Sequence, residues 1–336
     1  MRIEWIGGNG GPGVNRGHLS FDNPILKDFR WPVIDIVGRE TGPRLCVMAG
    51  VHVNEASSLE AAVSLWRALD PANLRGRISI MPVVNIPGCY GHSMNVPVDD
   101  KNIHWLYPGN PHGSFTEALA DALLFDWSAD AAALIDMHGG EMWEDLTTYV
   151  VFQRSDDPEI NRRNESLARC FAPPLIFGLP ARMTNEAGRS CQALGRVGRA
   201  GLVSESGRNA LLDRRHVEFH RDGVLNVARQ LGILPAQPLP PGPEPILLDD
   251  YQFMVAPASG LIYSHVHGGE PVRKGQRLAV ICDLFQTQLA ELTAPADGWV
   301  MWITTHTLAK EGEWIGAMGT AGAPPPAVRR DKAYHL

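Results

Sequence analysis

Short apolar runs alternate with helical patterns over the first two thirds of the chain. The run at 44–50 predicts a buried strand, and apolar residues in the segment 55–70 that follows recur on one helical face. Further elements are expected in this region: strands at 77–84, at 131–137 and up to Val203, and helices at 115–127 and 217–231. This alternation indicates an α/β fold in which helices flank a mixed, largely parallel sheet.

A proline-rich segment at 235–245 divides the chain. Six of its eleven residues are proline, so neither a helix nor a central strand can pass through it. We therefore predict two domains, an α/β domain over 1–235 and a β-rich domain over 246–336.

The β-rich domain contains a two-fold repeat. Segments 256–262 and 294–300 share the pattern Ala-Pro-Ala-x-Gly followed by two apolar residues, and they begin about 38 residues apart. We expect a small all-β barrel or sandwich built from two similar halves.

Composition and charge exclude several classes of function. The formal net charge is −7 and the sequence pI is about 5.9, which argues against nucleic-acid binding. We expect no membrane span, because no run approaches the ~20 apolar residues that a span requires. The five widely spaced cysteines and the absence of a secretory signal predict a cytoplasmic protein with reduced thiols. The sequence leaves homo-oligomer formation open.

The pattern His-x-x-Glu pairs an imidazole with a carboxylate, two groups that suit zinc. It occurs three times, as His52/Glu55, His138/Glu141 and His267/Glu270. The third lies in a Gly-Gly turn of the β-rich domain and is expected to be a solvated hairpin. The other two follow apolar strands, where open α/β sheets bind their ligands.

A catalytic zinc takes three protein ligands, and His52, Glu55 and His138 form a candidate set. Asp136 lies two residues before His138 on the same strand face and could orient a ligand. Glu205 follows another short apolar run and is a candidate general base. For His138, a hydrogen-bonded histidine at a strand end is the alternative. For Glu205, the alternative is an N-cap or an ion-pair partner.

A family resemblance extends this interpretation. The segments AGVHVNE, NIPG, PVDDKNIHWLYPG, LIDMHGG and VSESG, in this order and spacing, resemble the succinylglutamate desuccinylase/aspartoacylase family over roughly residues 30–235. The resemblance implies a zinc-carboxypeptidase-like fold for 1–235 and one zinc ion per chain. It also implies that His52, Glu55 and His138 are the zinc ligands and that Glu205 is the catalytic glutamate.

The sequence departs from the family at the substrate-binding motif. His104 and Trp105 replace its Asn-Arg pair, and Met94 replaces an earlier arginine. In such enzymes these arginines grip a substrate carboxylate, because the guanidinium fork bonds a carboxylate bidentately. There is no arginine between Arg77 and Arg154. We therefore expect a substrate that is not a dicarboxylate, with an aromatic, apolar or cationic group facing Trp105.

Two functions of the lost motif need other residues. His92, Asn95 or His104 could donate a hydrogen bond to the oxyanion. A clear preference for acidic substrates would mean that an arginine from elsewhere, such as Arg182, Arg189 or Arg208, has replaced the clamp, and this interpretation of the pocket would then be wrong.

The β-rich tail resembles a biotinyl/lipoyl-like barrel. Its hairpin at 283–287 has no lysine for attachment of a cofactor, which favours a structural or access-shaping role.

Three functions follow from the sequence. The first is a zinc-dependent amidohydrolase that cleaves the amide of a small N-acyl amino acid or related amide. The second is a metallopeptidase that acts on a small peptide. The third is a non-enzymatic binding protein with a vestigial zinc site.

Overall fold

A mixed ten-stranded sheet organises residues 1–248 of the computed structural model, which describes residues 1–183, 186–237 and 243–322. The strands of this region, with β7 belonging to another sheet, are β1 Arg2–Trp5, β2 Gly13–Ser20, β3 Trp31–Val37, β4 Glu40–Met48, β5 Arg75–Met81, β6 Ala133–His138, β7 Glu144–Leu146, β8 Tyr149–Gln153, β9 Leu175–Leu179, β10 Ala200–Glu205 and β11 Ile246–Leu248.

The strand order is β1-β2-β3-β5-β4-β6-β10-β8-β9-β11. At the centre of the sheet, β4 is parallel to both β5 and β6, and β6 is parallel to β10. Antiparallel pairs join β10 to β8 and β3 to β5. The sheet is therefore mixed, with a parallel centre that brings several strand ends to the same edge.

In the part of the chain that the structure describes, five helices cover the two faces of the sheet: α1 Ala56–Leu65, α2 Phe115–Ala122, α3 Pro158–Arg169, α4 Ser190–Arg196 and α5 Arg214–Gln230. Helices α1, α3 and α5 pack on one face and α2 and α4 on the other. Along β4, Leu45 and Val47 belong to the first core while Cys46 and Met48 belong to the second, as alternation along a strand requires. Among the described residues, no helix has the length and apolar character needed to cross a bilayer.

The sequence pattern located the central elements to within a few residues. The segment 55–70 is helical only over α1 and then tightens into a short 3₁₀ turn at Trp66–Ala68. The segment 115–127 forms α2 followed by a π turn at Leu123–Trp127. The sequence pattern does not predict the N-terminal strands β1–β3, the strands β8 and β9, or the helices α3 and α4.

Within residues 249–322, eight strands follow: β12 Asp250–Val255, β13 Gly260–Ser264, β14 Pro271–Val272, β15 Arg277–Cys282, β16 Gln288–Thr293, β17 Gly298–Thr304, β18 Leu308–Ala309 and β19 Trp314–Thr320. They form two antiparallel sheets, β12-β19-β17-β14 and β16-β15-β13-β18, around one apolar core. The expected fold class, an α/β sheet plus a small all-β unit, is confirmed.

The internal repeat explains how the two β-sheets interlock. Strands β13 and β17 each begin at the glycine of a repeated segment, Gly260 and Gly298. Strand β13 pairs with β18 from the second half, and β17 pairs with β14 from the first half. Each half therefore completes the sheet of the other.

Two pairings connect the C-terminal region to the α/β region. Strand β7 pairs with β17, with Leu146 opposite Trp302, and β11 joins the edge of the ten-stranded sheet beside β9. Of the predicted linker at 235–245, residues 238–242 lie outside the described residues, as do 184–185 and 323–336. The domain boundary stays a prediction.

Gly109 provides a test of the packing that supports this architecture. Its φ is +87°, and an added Cβ would lie 2.3 Å from the Glu117 carbonyl oxygen and 2.4 Å from the Asp121 amide nitrogen. Gly232 has a similar φ of +72° but open space around its Cβ position. We expect Gly232→Ala to lose about 1–2 kcal/mol of unfolding free energy from backbone strain. Gly109→Ala should lose about 1–3 kcal/mol more, because of the added clash. Urea unfolding of both variants measures this difference, and equal losses would contradict the described packing.

Candidate active site

Three neighbouring strands end at the same place on the sheet edge. His138 and Glu205 are the last residues of β6 and β10, and they lie opposite each other in parallel register. On the other side of β6, Asp136 is paired with Met48 of β4, and the turn after β4 carries His52 and Glu55. The topology therefore brings together the four residues that the sequence identified as ligands and base.

Glu55 lies between the two histidines. Its Oε1 is 2.7 Å from His52 Nδ1, and its Oε2 is 3.2 Å from His138 Nδ1. All three side chains are buried, and one ligand atom from each lies within 4.8 Å of the others. The two Nδ1 atoms thus face the same carboxylate, and these three residues would be able to hold one metal ion.

Electrostatics couples the three groups. Burial lowers the pKa of each imidazole, but Glu55 raises the pKa of His52, and Asp136 and Glu55 raise that of His138 well above its usual value. Burial opposes ionisation of Glu55, yet the nearby His138 and His52 hold its pKa at about 2. A metal ion bound here would displace protons from the histidines, because imidazole ligates in its neutral form.

The donor set suits zinc. Two imidazoles and one carboxylate match a three-ligand catalytic zinc site. Moreover, the buried Glu55 Oε2 makes no aligned hydrogen bond among the described residues. A second group, His104, Asp136 and His138, also has its ligand atoms within 4.8 Å. The two groups share His138, and the first is the one whose residues the sequence places after the apolar runs of β4 and β6.

Neighbouring side chains hold the two histidines in place. Asp136 accepts a hydrogen bond from Ser190 through Oδ2, at 2.8 Å, while its Oδ1 faces His138 Nε2. On the other side, His52 Nε2 lies 3.0 Å from Asn102 Oδ1. Each contact occupies the Nε2 atom and leaves Nδ1 to face Glu55, which supports the orienting role expected for Asp136.

Glu205 is a buried carboxyl beside these residues. Burial raises its pKa to about 8, although the charge of His138 lowers it. A carboxylate whose pKa lies near neutrality can accept and return a proton during turnover.

The site opens into a cavity of about 440 Å³. Its far wall comes from the C-terminal sheets through four aromatic side chains: Tyr251, Phe253, Trp302 and Trp314. The pairing of β7 with β17 therefore places the C-terminal sheets against the cavity, as an access-shaping role requires.

The altered motif residues contribute to this cavity. His104, Trp105 and Met94 all lie in its wall. His104 Nδ1 lies 3.3 Å from His138 Nε2, and burial lowers the pKa of His104 well below its usual value. His104 is therefore a neutral group beside His138.

The other two residues proposed for substrate binding lie elsewhere. His92 lines an adjoining chamber rather than this cavity. Asn95 reaches neither, because its amide nitrogen donates to the Asp100 backbone and carboxylate oxygens at 3.2 and 3.0 Å. Its side chain stabilises its own loop, and a role for Asn95 in substrate binding stays a prediction.

One arginine does enter the cavity. The Arg189 Cζ atom lies 4.6 Å from the centroid of the Trp105 ring and 5.8 Å from that of Tyr251. Arg189 is 6% exposed, and its Nε has no hydrogen-bond partner among the described residues. Arg182 and Arg208 are not among the described residues that line the cavity. A guanidinium of the protein itself thus lies over the Trp105 ring.

Two residues of the site were not identified from the sequence. Asn102 was not among the candidates, and nothing in the sequence distinguished Arg189 from Arg182 and Arg208. Asn102 lies within the motif PVDDKNIHW, so its position beside His104 was a usable signal. Arg189 directly precedes α4, but its place in the cavity depends on how α4 packs against β10 and on a C-terminal aromatic wall. The residues near Arg189 in the sequence therefore do not predict that its side chain lies in the cavity.

Comparison with known proteins agrees with the geometry. The model of the succinylglutamate desuccinylase/aspartoacylase catalytic domain matches residues 41–231, more than half of the chain. The chain belongs to this family. The resemblance seen in the sequence is therefore confirmed, and the matched range contains all four residues at the strand ends.

Similar proteins include enzymes that remove acyl groups. The chain is 26% identical over 299 residues to the N-alpha-acetyl-L-2,4-diaminobutyric acid deacetylase of Halomonas elongata, covering 85% of each chain. Its fold resembles the product-bound ectoine utilization protein EutE (DoeB) of Ruegeria pomeroyi, with a TM-score of 0.81, 23% identity, and 95% and 99% of the two chains covered. A succinylglutamate desuccinylase/aspartoacylase from Rhodobacter sphaeroides has a TM-score of 0.75 at 24% identity, with 92% and 95% covered. Relatives within the succinylglutamate desuccinylase/aspartoacylase family are thus deacylases of small molecules.

The ligand set leads to a metal-binding test. We expect the purified protein to bind about one zinc ion per chain, and His52→Ala and His138→Ala to lose it, because each removes one of three ligands. His112→Ala, an exposed histidine outside the site, is the control and should keep the metal. Elemental analysis after gel filtration gives the stoichiometry. Full zinc occupancy in both site variants would refute the assignment.

Proposed function

We propose that this protein is a zinc-dependent deacylase that hydrolyses the amide bond of a small N-acyl amino acid. The observation that carries the proposal is the convergence of three features in one cavity. These are the His52–Glu55–His138 group, the buried carboxyl of Glu205 and the buried guanidinium of Arg189.

The chemistry can be assigned to residues. When bound, zinc supplies a Lewis acid that polarises a carbonyl and lowers the pKa of water to about 7. Glu205 takes the proton from the attacking water and passes it to the leaving amine. Its burial excludes bulk water, so the carboxyl can hold this proton between the two transfers.

Arg189 is suited to hold the substrate carboxylate. Its Nε lacks a partner among the described residues, and a carboxylate is the group that a guanidinium fork pairs with best. The aromatic rings of Trp105 and Tyr251 pack against the guanidinium and fix its position. One arginine in this cavity fits one carboxylate, so an amino acid rather than a dicarboxylate is the expected substrate.

The relatives favour a deacylase over the other two functions. The Halomonas elongata relative is named as a deacetylase of an acetylated amino acid. A metallopeptidase would use the same residues, and Arg189 would then hold a C-terminal carboxylate. Comparing acetate release from N-acetyl amino acids with cleavage of dipeptides separates these two. A non-enzymatic binding protein could bind these compounds but would hydrolyse neither the N-acetyl amino acids nor the dipeptides.

Glu205→Gln tests the proposed base. The amide keeps the shape of the side chain but cannot accept a proton. We expect zinc to stay bound and kcat to fall by ~100- to 10,000-fold. Glu218→Gln, on the exposed face of α5, is the matched control and should behave as wild type. A Glu205→Gln rate above a third of the wild-type rate would show that the base is another residue.

Arg189→Ala tests the proposed carboxylate site. For an N-acetyl amino acid, we expect kcat/KM to fall by roughly 10- to 150-fold, since hydrogen bonds to charged groups contribute about 1.5–3 kcal/mol. For the corresponding C-terminal amide, which lacks the carboxylate, the loss should be much smaller. Arg196→Ala, on the same helix but outside the cavity, is the control. Equal losses for the acid and the amide would show that Arg189 does not bind the carboxylate.

A further inference from the structure

A second chamber of about 550 Å³ adjoins the candidate active site. The two share five wall residues: Met94, Glu144, Trp302, Glu313 and Trp314. The segment after β6 forms one side of the chamber, and the C-terminal sheets form the other. A ligand bound at the His52–Glu55–His138 group could therefore extend into it without leaving the protein.

Glu141 is the unusual residue in this chamber. It is 7% exposed, and its Oε2 accepts hydrogen bonds from Asn54 Nδ2 at 3.1 Å and from the Met142 amide at 3.2 Å. Its Oε1 is buried and has no hydrogen-bond partner among the described residues. One oxygen is thus fixed by the protein, while the other is left for a ligand. Such an atom is costly to bury unless a ligand binds it.

The surroundings of Glu141 are acidic and aromatic. Glu144 and Glu313 also line the chamber, and the only lysine or arginine among its described lining residues is the exposed Lys310. Three indole rings complete the wall, those of Trp143, Trp302 and Trp314. Carboxylates and indole faces both attract organic cations. A metal ion is a poorer candidate, because among the described residues no three-ligand group includes Glu141.

We infer that this chamber binds a positively charged group of the substrate, an ammonium or a guanidinium, and that Glu141 pairs with it. The inference rests on the proposed function, since it describes the side chain of the amino acid whose carboxylate Arg189 holds. Glu141 then selects the side chain, whereas Arg189 recognises the amino acid backbone. The substrate class is that of N-acylated basic amino acids.

A matched pair of substrates tests the inference. Nα-acetylornithine and Nα-acetylnorleucine differ only in an ammonium where the other has a methyl group. We expect the wild-type protein to prefer the ornithine derivative by at least about tenfold in kcat/KM, because the ammonium forms a charge-assisted hydrogen bond. Glu141→Gln should reduce this preference to near one, mainly by raising KM for the ornithine derivative. The norleucine derivative should be nearly unaffected.

Two further variants control the experiment. Glu141→Asp keeps the negative charge and should retain some of the preference for the ornithine derivative. If Glu141 had only a structural role, its charge would not affect this preference. Glu311→Gln removes an exposed carboxylate near the chamber and should leave the preference unchanged. An undiminished preference in Glu141→Gln, or a wild-type protein that does not prefer the ornithine derivative, would overturn the inference.

A binding measurement separates this inference from the proposed function. Calorimetry with the Glu205→Gln protein compares the affinities of the same two compounds without turnover. If wild type hydrolyses neither compound but Glu205→Gln binds the ornithine derivative at least about tenfold more tightly, the proposed function fails and the cation site stands. Equal affinities, or binding of neither compound, would overturn the cation site.

Discussion

The parallel pairing of β6 with β4 on one side and β10 on the other is the constraint on which the site depends. It aligns His138 with Glu205 and places the turn after β4 next to both. A one-residue slip of β10 would turn Glu205 to the opposite face of the sheet, because side chains alternate along a strand. The apolar cores on both faces fix this register, since Leu202 and Val203 pack into different cores. The same packing of apolar side chains therefore stabilises the sheet and sets the geometry of the site.

Around this edge the protein buries charged groups that its described residues satisfy incompletely. Glu141 Oε1 and Arg189 Nε lack a hydrogen-bond partner there, and Glu55 Oε2 makes no aligned hydrogen bond although His138 Nδ1 lies 3.2 Å away. All three residues line one of two adjoining cavities. Elsewhere in a folded protein such groups are rare, because each costs free energy. A metal ion, together with a substrate that carries a carboxylate and a cationic side chain, would complete the coordination of these three groups. The C-terminal sheets contribute by closing the cavities with aromatic rings.

Much of the site could be predicted from sequence because its residues follow apolar strands at consistent positions. His52, Glu55, His138 and Glu205 belong to this class, and so do the central strands. Other features depend on contacts between distant segments. Arg189 reaches the cavity through the packing of α4, and the aromatic wall arises only when β17 pairs with β7. Asn95 lies in the expected segment, but its side chain turns into its own loop. The domain boundary stays a prediction, because some of the linker lies outside the described residues.

The most direct test of the account is a crystal structure of the zinc-loaded Glu205→Gln protein with an N-acetylated basic amino acid, using anomalous scattering at the zinc edge. We expect one strong peak between His52, Glu55 and His138. The amide carbonyl should face Gln at position 205, with the substrate carboxylate at Arg189 and its cationic group at Glu141. A peak between His104, Asp136 and His138, or a ligand whose carboxylate lies away from Arg189, would contradict it.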